Sequence, residues 1–231
     1  LTAKTLRIGF PNIQIFVFDN CSNPEFKPII KEAYESIGCV YKDIQYEIEH
    51  PRFIWDMINF QNNGGAVFID PDICFWGNME SVNNDCIVKG WRIPQFYDPY
   101  TQCNTVSRLH TSLLMIPDVN KLKERFYQEK KVRFEAQGVA PTMIKFSGKW
   151  YFWDTFAAIC EMLGDDAGSF TEEELSLYDH LFCGTHFGMV KDSFNGTDFE
   201  SIHSNVANGN LEVMRGLRKK QEEYFKSSEW K

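Results

Sequence analysis

Apolar residues along the chain fall into two rhythms, short solid runs and longer stretches with a helical period. Ile13 to Phe18 (IQIFVF) is a β-branched and aromatic run that leads into Asp19-Asn20 and then Ser22-Asn23-Pro24. It predicts a strand, a polar turn and a proline-initiated helix that continues to about Ile37 and stops at Gly38. Asp43 to Glu49 reads as a weaker strand. Phe53, Ile54, Met57, Ile58 and Phe60 then recur at helical spacing within Pro51 to Gln61, and Asn62-Asn63-Gly64-Gly65 closes that helix. Ala66 to Ile69 is the next strand and enters Asp70-Pro71-Asp72. Cys86 to Ile93 and Arg108 to Ile116 are later strands, joined by a polar segment containing Phe96, Tyr97 and Tyr100 that is suited to line an acceptor cleft.

Asp118 to Ala136 is charged and predicts a solvated helix, Trp150 to Leu163 an apolar helix bearing one acid, Asp154, and Leu211 to Phe225 a closing amphipathic helix. Strands alternating with helices at this spacing imply right-handed crossovers and a mostly parallel central sheet flanked by helices, an α/β fold in one domain. Ligands of such sheets gather beyond the carboxyl ends of the strands, where Asp19 and Asp70 both lie. There is no internal repeat, low-complexity tract or linker.

Composition narrows the function classes. With 231 residues, 43% of them hydrophobic, and 20 Phe, the chain can bury a substantial core, so disorder is not expected. A net charge of -8 argues against a general affinity for nucleic acid, which needs a basic surface to neutralise phosphates. A bound nucleotide would need a metal to screen its phosphates. The seven cysteines form no C-x-x-C pair and several sit in apolar runs, which fits buried small hydrophobes in a reducing compartment. No run of about 18 apolar residues is present, and nothing resembles a signal peptide, so a cytoplasmic protein without a membrane span is expected. Asn195-Gly196-Thr197 matches a glycosylation sequon, a match common by chance.

The chemistry concentrates at Asp70 and Asp72. Two aspartates two residues apart, just past an apolar strand, can both reach one hard cation, and Mg2+ or Mn2+ held there can bridge a diphosphate. Taken alone, D-P-D fits a simple turn equally well. The preceding Gly64-Gly65-Ala66-Val67-Phe68-Ile69 places it at a strand end, and further acids and histidines follow along the chain.

The order of strand with Asp19-Asn20, helix, strand, helix, VFIDPDI, an Asp on a later helix and a late His resembles the GT-A glycosyltransferases, including the glycogenin-like and lipopolysaccharide galactosyltransferase-like families. The resemblance implies a Rossmann-like fold and transfer of a sugar from a nucleotide sugar to a sugar, lipid-linked or protein acceptor. It also implies a Mn2+ or Mg2+ cofactor. By the same resemblance Asp19 contacts the nucleoside and Arg52 the donor sugar and phosphates, while Asp70 serves both donor and metal. Asp72 and His203 complete the metal site, with His186 as the alternative to His203. His110, in the segment Arg108 to Leu114, meets the acceptor, and Asp154 is the general base or an acid beside the acceptor. The chain opens at Leu1 without a methionine and with residues that read as the interior of a helix, so the family's first strand, which also holds the base, is missing from it.

Two other readings compete. A haloacid-dehalogenase-like phosphatase would use Asp70 as nucleophile and Asp72 as acid, with Gly164-Asp165-Asp166 as its distant acidic motif. That family wants Thr or Val where this chain has Cys74, and its acidic motif follows a strand rather than a helix. A non-catalytic carbohydrate- or nucleotide-binding module would need neither Asp154 nor a late histidine.

Overall fold

The computed structural model describes residues 2–71, 73–95, 97–98, 102–128 and 142–180. In chain order the first elements are α1 (Thr2–Gly9), β1 (Phe16–Asn20), α2 (Lys27–Glu35), β2 (Val40–Ile44), α3 (His50–Phe60), β3 (Ala66–Ile69) and β4 (Ile73–Phe75). Next come β5 (Val88–Ile93), β6 (Tyr97–Asp98), β7 (Cys103–Thr105), β8 (Arg108–Ile116) and α4 (Val119–Gln128). The last are β9 (Thr142–Phe146), β10 (Lys149–Trp153), α5 (Ala157–Leu163), β11 (Ala167–Ser169), α6 (Glu172–Leu175) and β12 (Tyr178–His180). The class is mixed α/β, as the alternation of patterns implied.

The sheets differ from the expected mostly parallel one. A four-stranded sheet in the order β11-β5-β8-β3 pairs β8 antiparallel to both its neighbours, and only β11 joins β5 in parallel. β1 and β2 form a separate parallel pair around the α2 crossover. The physical reason lies in the connections. The connection from β5 to β8 runs through the short strands β6 and β7 with no α-helix among its described residues to carry a parallel crossover, so β8 returns antiparallel to β5.

Β8 is the middle of the molecule. Leu114 and Ile116 point into a core completed by Ile54 and Ile58 of α3, Leu122 of α4 and Ile159 of α5. Leu113 and Met115 point the opposite way, into a second core with Leu6 of α1, Phe10 just beyond it, Phe75 of β4 and Tyr178 of β12. A strand covered on both faces reads as a continuous apolar run, which is why LLMI carries no alternation.

The phase of β8 breaks in its middle. Gly90 of β5 pairs with Leu114, but Arg92 pairs with Leu109, so two steps along β5 match five along β8. This bulge puts Leu109 into the same core as Leu114, although strict alternation over five residues would place them on opposite faces. At the bulge a Cβ on Gly90 would stand 3.1 Å from the Leu113 carbonyl oxygen and 3.1 Å from a Leu114 methyl.

The predicted helix over Trp150 to Leu163 is instead a strand followed by a shorter helix. Ser147 and Gly148 both have positive φ, 49° and 79°, which is the requirement of a tight two-residue hairpin turn. Thus β10 folds back on β9, with Trp150 opposite Lys145. Asp154 lies in the link before α5 and not on a helix. The strand expected over Asp43 to Glu49 forms earlier, over Val40–Ile44. The part of the predicted Asp118–Ala136 helix beyond Gln128, and the predicted helix over Leu211 to Phe225, lie outside the described residues.

A buried ion pair ties the far edge of the sheet. Lys89 Nζ lies 2.6 Å from Glu174 Oε1 and donates to the Asn83 carbonyl at 2.7 Å, and Glu174 also closes a capping box with Thr171 at the start of α6. Of the described cysteines, Cys39, Cys74, Cys103 and Cys160 are buried, as their apolar surroundings implied, whereas Cys21 is exposed.

Gly90→Val should therefore destabilise the fold by roughly 1–3 kcal/mol, the usual cost of overpacking. Urea denaturation of the variant checks this, and an unchanged midpoint would show that the bulge can widen to accept a side chain.

Candidate functional site

Β3 delivers Asp70 to its carboxyl end, and the antiparallel pairing brings the polar first half of β8 alongside. The Asp70 N–H donates to the Ser112 carbonyl at 2.8 Å. Its carboxylate is half-buried and stands 3.4 Å from Nε2 of His50, the first residue of α3. The Thr2 hydroxyl at the start of α1 donates to the Pro71 carbonyl, so two helices begin beside this strand end.

His110 sits within the bulge of β8. Its ring packs 5.6 Å from Trp91 and 4.9 Å from His180, centroid to centroid. The Ser112 N–H donates to Nδ1 at 3.2 Å, and the Ser112 hydroxyl lies 2.7 Å from the same nitrogen. An Nδ1 that accepts from a backbone N–H carries no proton, so the neutral ring holds its proton on Nε2. Burial pushes the His110 pKa down from the ordinary 6.5 to about 4. His180 and Arg108 add to the fall, while the Asp70 and Asp154 carboxylates oppose it. His110 is thus a neutral N–H donor near neutral pH, suited to a hydroxyl or carbonyl oxygen and unsuited to removing a proton through Nε2.

Asp154 is ion-paired to Arg108, whose side chain is only 11% exposed, and its other oxygen accepts from the Thr155 N–H at 2.7 Å. The acid that looked out of place on an apolar helix has a buried guanidinium as its partner. Arg52, in the first turn of α3, is largely exposed and paired with Asp56 one turn on, at 2.8 Å. Asp19, on β1, is buried. Burial raises its pKa, but hydrogen bonds from the Tyr41 hydroxyl and the Ser22 N–H outweigh that and hold it below the usual carboxylate value. Burial and the same bond to Asp19 push the Tyr41 phenol up.

The structure therefore brings together Asp70, His110 and Asp154, each from a different stretch of sequence, and adds His50, Trp91, Arg108 and His180. Asp19 and Arg52 lie on neighbouring elements, each with partners of its own. Asp72, His186 and His203 lie outside the described residues, as does the Asn195 sequon. Among the described residues no three His, Cys, Asp or Glu side chains stand close enough to hold a metal, and no helix is long and apolar enough to cross a membrane. Arg108 could have been found beforehand, because an arginine opening an apolar strand calls for a buried acid. His50 and His180 carry no such signal, since only the fold places them. No known family model, curated protein or solved structure matches this chain.

The depressed pKa of His110 sets a pH dependence. A histidine held below its ordinary value favours the neutral form in the fold, so its contribution is complete above about pH 6.5 and is lost as pH falls towards 4. The loss should reach roughly 3 kcal/mol by the lower end. Urea unfolding at several pH values should show this fall in the parent chain and a shallower one in His110→Gln; equal slopes would remove His110 as its source.

Proposed function

We propose that the chain is a metal-dependent glycosyltransferase of the GT-A type, taking its sugar from a nucleotide-sugar donor. The observation that carries this reading is the half-exposed Asp70 carboxylate at a strand end, placed so that it and Asp154 both act on the His110 ring. A hard oxygen donor beside an imidazole suits Mn2+ or Mg2+, and Asp70 with Asp72 and His203 would hold the ion. When bound, the metal offsets charge on the leaving nucleoside diphosphate.

The chain's own residues supply the rest. His110 Nε2–H hydrogen-bonds an acceptor oxygen and orients it. Arg108 holds the Asp154 carboxylate in an ion pair, so Asp154 acts as a base only to the extent that it can leave that pair. Asp19 and Tyr41 form the rigid polar end of β1 where a nucleoside would lie, and Arg52 is close enough to the surface to turn towards phosphates. The phosphatase reading loses ground, because Gly164-Asp165-Asp166 follows α5 as a single 3-10 turn and not a strand.

Incubation with Mn2+ and a panel of nucleotide sugars should give slow release of nucleoside diphosphate. Asp70→Asn should cut that release at least about a hundredfold, given the several kcal/mol a bound metal supplies, with little change in melting temperature for a half-exposed side chain. Release of inorganic phosphate from phosphomonoesters would instead favour the phosphatase, and near-normal turnover in Asp70→Asn would remove the site.

Asp154→Asn separates chemistry from structure. Loss of the carboxylate leaves the Arg108 guanidinium buried without its counter-charge, so stability should fall by roughly 3 kcal/mol. Asp154→Asn/Arg108→Met should recover part of this. A transfer rate that recovers along with stability in the double variant would make Asp154 a structural acid; a rate still depressed about a hundredfold would make it the base.

A further inference from the structure

The turn at Ser147-Gly148 carries the tip of the β9–β10 hairpin into open space. Every residue from Lys145 to Trp150 is exposed, and a Cβ added at Gly148 would meet no atom within 4 Å among the described residues. A projecting turn of this kind ordinarily carries polar side chains, which lose nothing by staying in water. This one carries Phe146, 69% exposed, and Trp150, 51% exposed, with Met143 behind them at 44%.

The register sorts these side chains onto two faces. Phe146 stands opposite Lys149, and Trp150 opposite Lys145, so successive cross-strand pairs put one aromatic ring and one ammonium group on each face of the tip. Lys145 Nζ lies 5.7 Å from the centre of the Trp150 ring. Met143, two residues before Lys145, shares the Trp150 face. The stretch from Thr142 to Trp153 contains two lysines and no acid, in a chain whose net charge is -8.

That layout selects among occupants. A rigid partner, whether protein or glycan, rests against one face of a hairpin, so the apolar groups that meet it gather on one side. Rings on both faces suit a medium that surrounds the tip. The interface of a bilayer is such a medium. Aromatic rings settle there at headgroup depth, lysine stems lie along the apolar boundary with their ammonium groups in water, and those groups are drawn to anionic headgroups.

We propose that the hairpin tip, Lys145 to Trp150, docks the protein on an anionic membrane surface, with Phe146 and Trp150 inserted at headgroup depth and Lys145 and Lys149 against the anionic headgroups. The docking does not depend on sugar transfer. β10 leads from the tip to Asp154, so the docked end lies one strand's length from the polar cluster around Arg108.

Flotation of the full chain with vesicles tests this, using phosphatidylcholine alone and phosphatidylcholine mixed with phosphatidylserine. The parent should bind the mixed vesicles more tightly, and binding should weaken as salt rises. Phe146→Ser/Trp150→Ser and Lys145→Glu/Lys149→Glu should each weaken it at least about tenfold, with the melting temperature unchanged because all four side chains are exposed. Brominated lipid should quench part of the tryptophan emission of the parent and less of that of Trp150→Phe, which keeps a ring at the tip and still binds. No binding by the parent, or equal binding by the parent and the serine pair, overturns the proposal. Capture of free oligosaccharides that is lost in the serine pair, with no binding to vesicles, overturns it too and makes the tip a sugar-stacking platform.

Discussion

Nine residues, Arg108 to Ile116, answer two demands that a regular strand cannot meet at once. Their second half must feed apolar side chains to both faces of the sheet, because α3, α4 and α5 cover one face and α1, β4 and β12 the other. Their first half must turn a polar edge towards Asp70. The bulge opposite Gly90 and Arg92 reconciles the two: it returns Leu109 to the first core while aiming His110 at Trp91 and His180. Two cores and the polar cluster thus hang on one strand, and the close approach at Gly90 is the steric condition for it.

The cluster is organised by charge pairing within a poorly solvated space. Arg108 and Asp154 neutralise one another where β8 meets the link to α5, and His110 stays uncharged because burial leaves it little solvent to stabilise a proton. Asp70 is different, since it keeps solvent contact on a strand end and, among the described residues, has the His50 imidazole near its oxygens. That contrast between committed and available groups is why the proposed cation is placed at Asp70.

Much of the architecture was legible in the amino-acid order. β3, β8 and α3 form where their patterns predict, because an unbroken apolar run or a clean helical period leaves few alternatives. The run Trp150 to Leu163 misled because aromatic residues suit strands and helices alike. Its deciding signal was the Ser147-Gly148 dipeptide upstream, which provides the two positive φ values of a hairpin. The direction of the sheet was not legible, since it depends on what connects the strands and not on the strands themselves. At the site, Asp70 was readable from its strand-end position. The partner of Asp154 was not, because an ion pair between distant segments exists only after β8 and the α5 link have packed.

The break in phase along β8 also bears on how the chain can change length. Leu109 and Leu114 share a core only because the stretch between them holds one residue more than an even count of steps would need. Removing a single residue from 110–113 would leave four steps, which regular alternation already places on one face, so Leu109 and LLMI could keep their shared core with less of a bulge. Removing two would leave three steps and would again need a break in phase to keep both in that core. Length variation here is therefore constrained by parity, and a shortened form of this strand is best tolerated in odd steps.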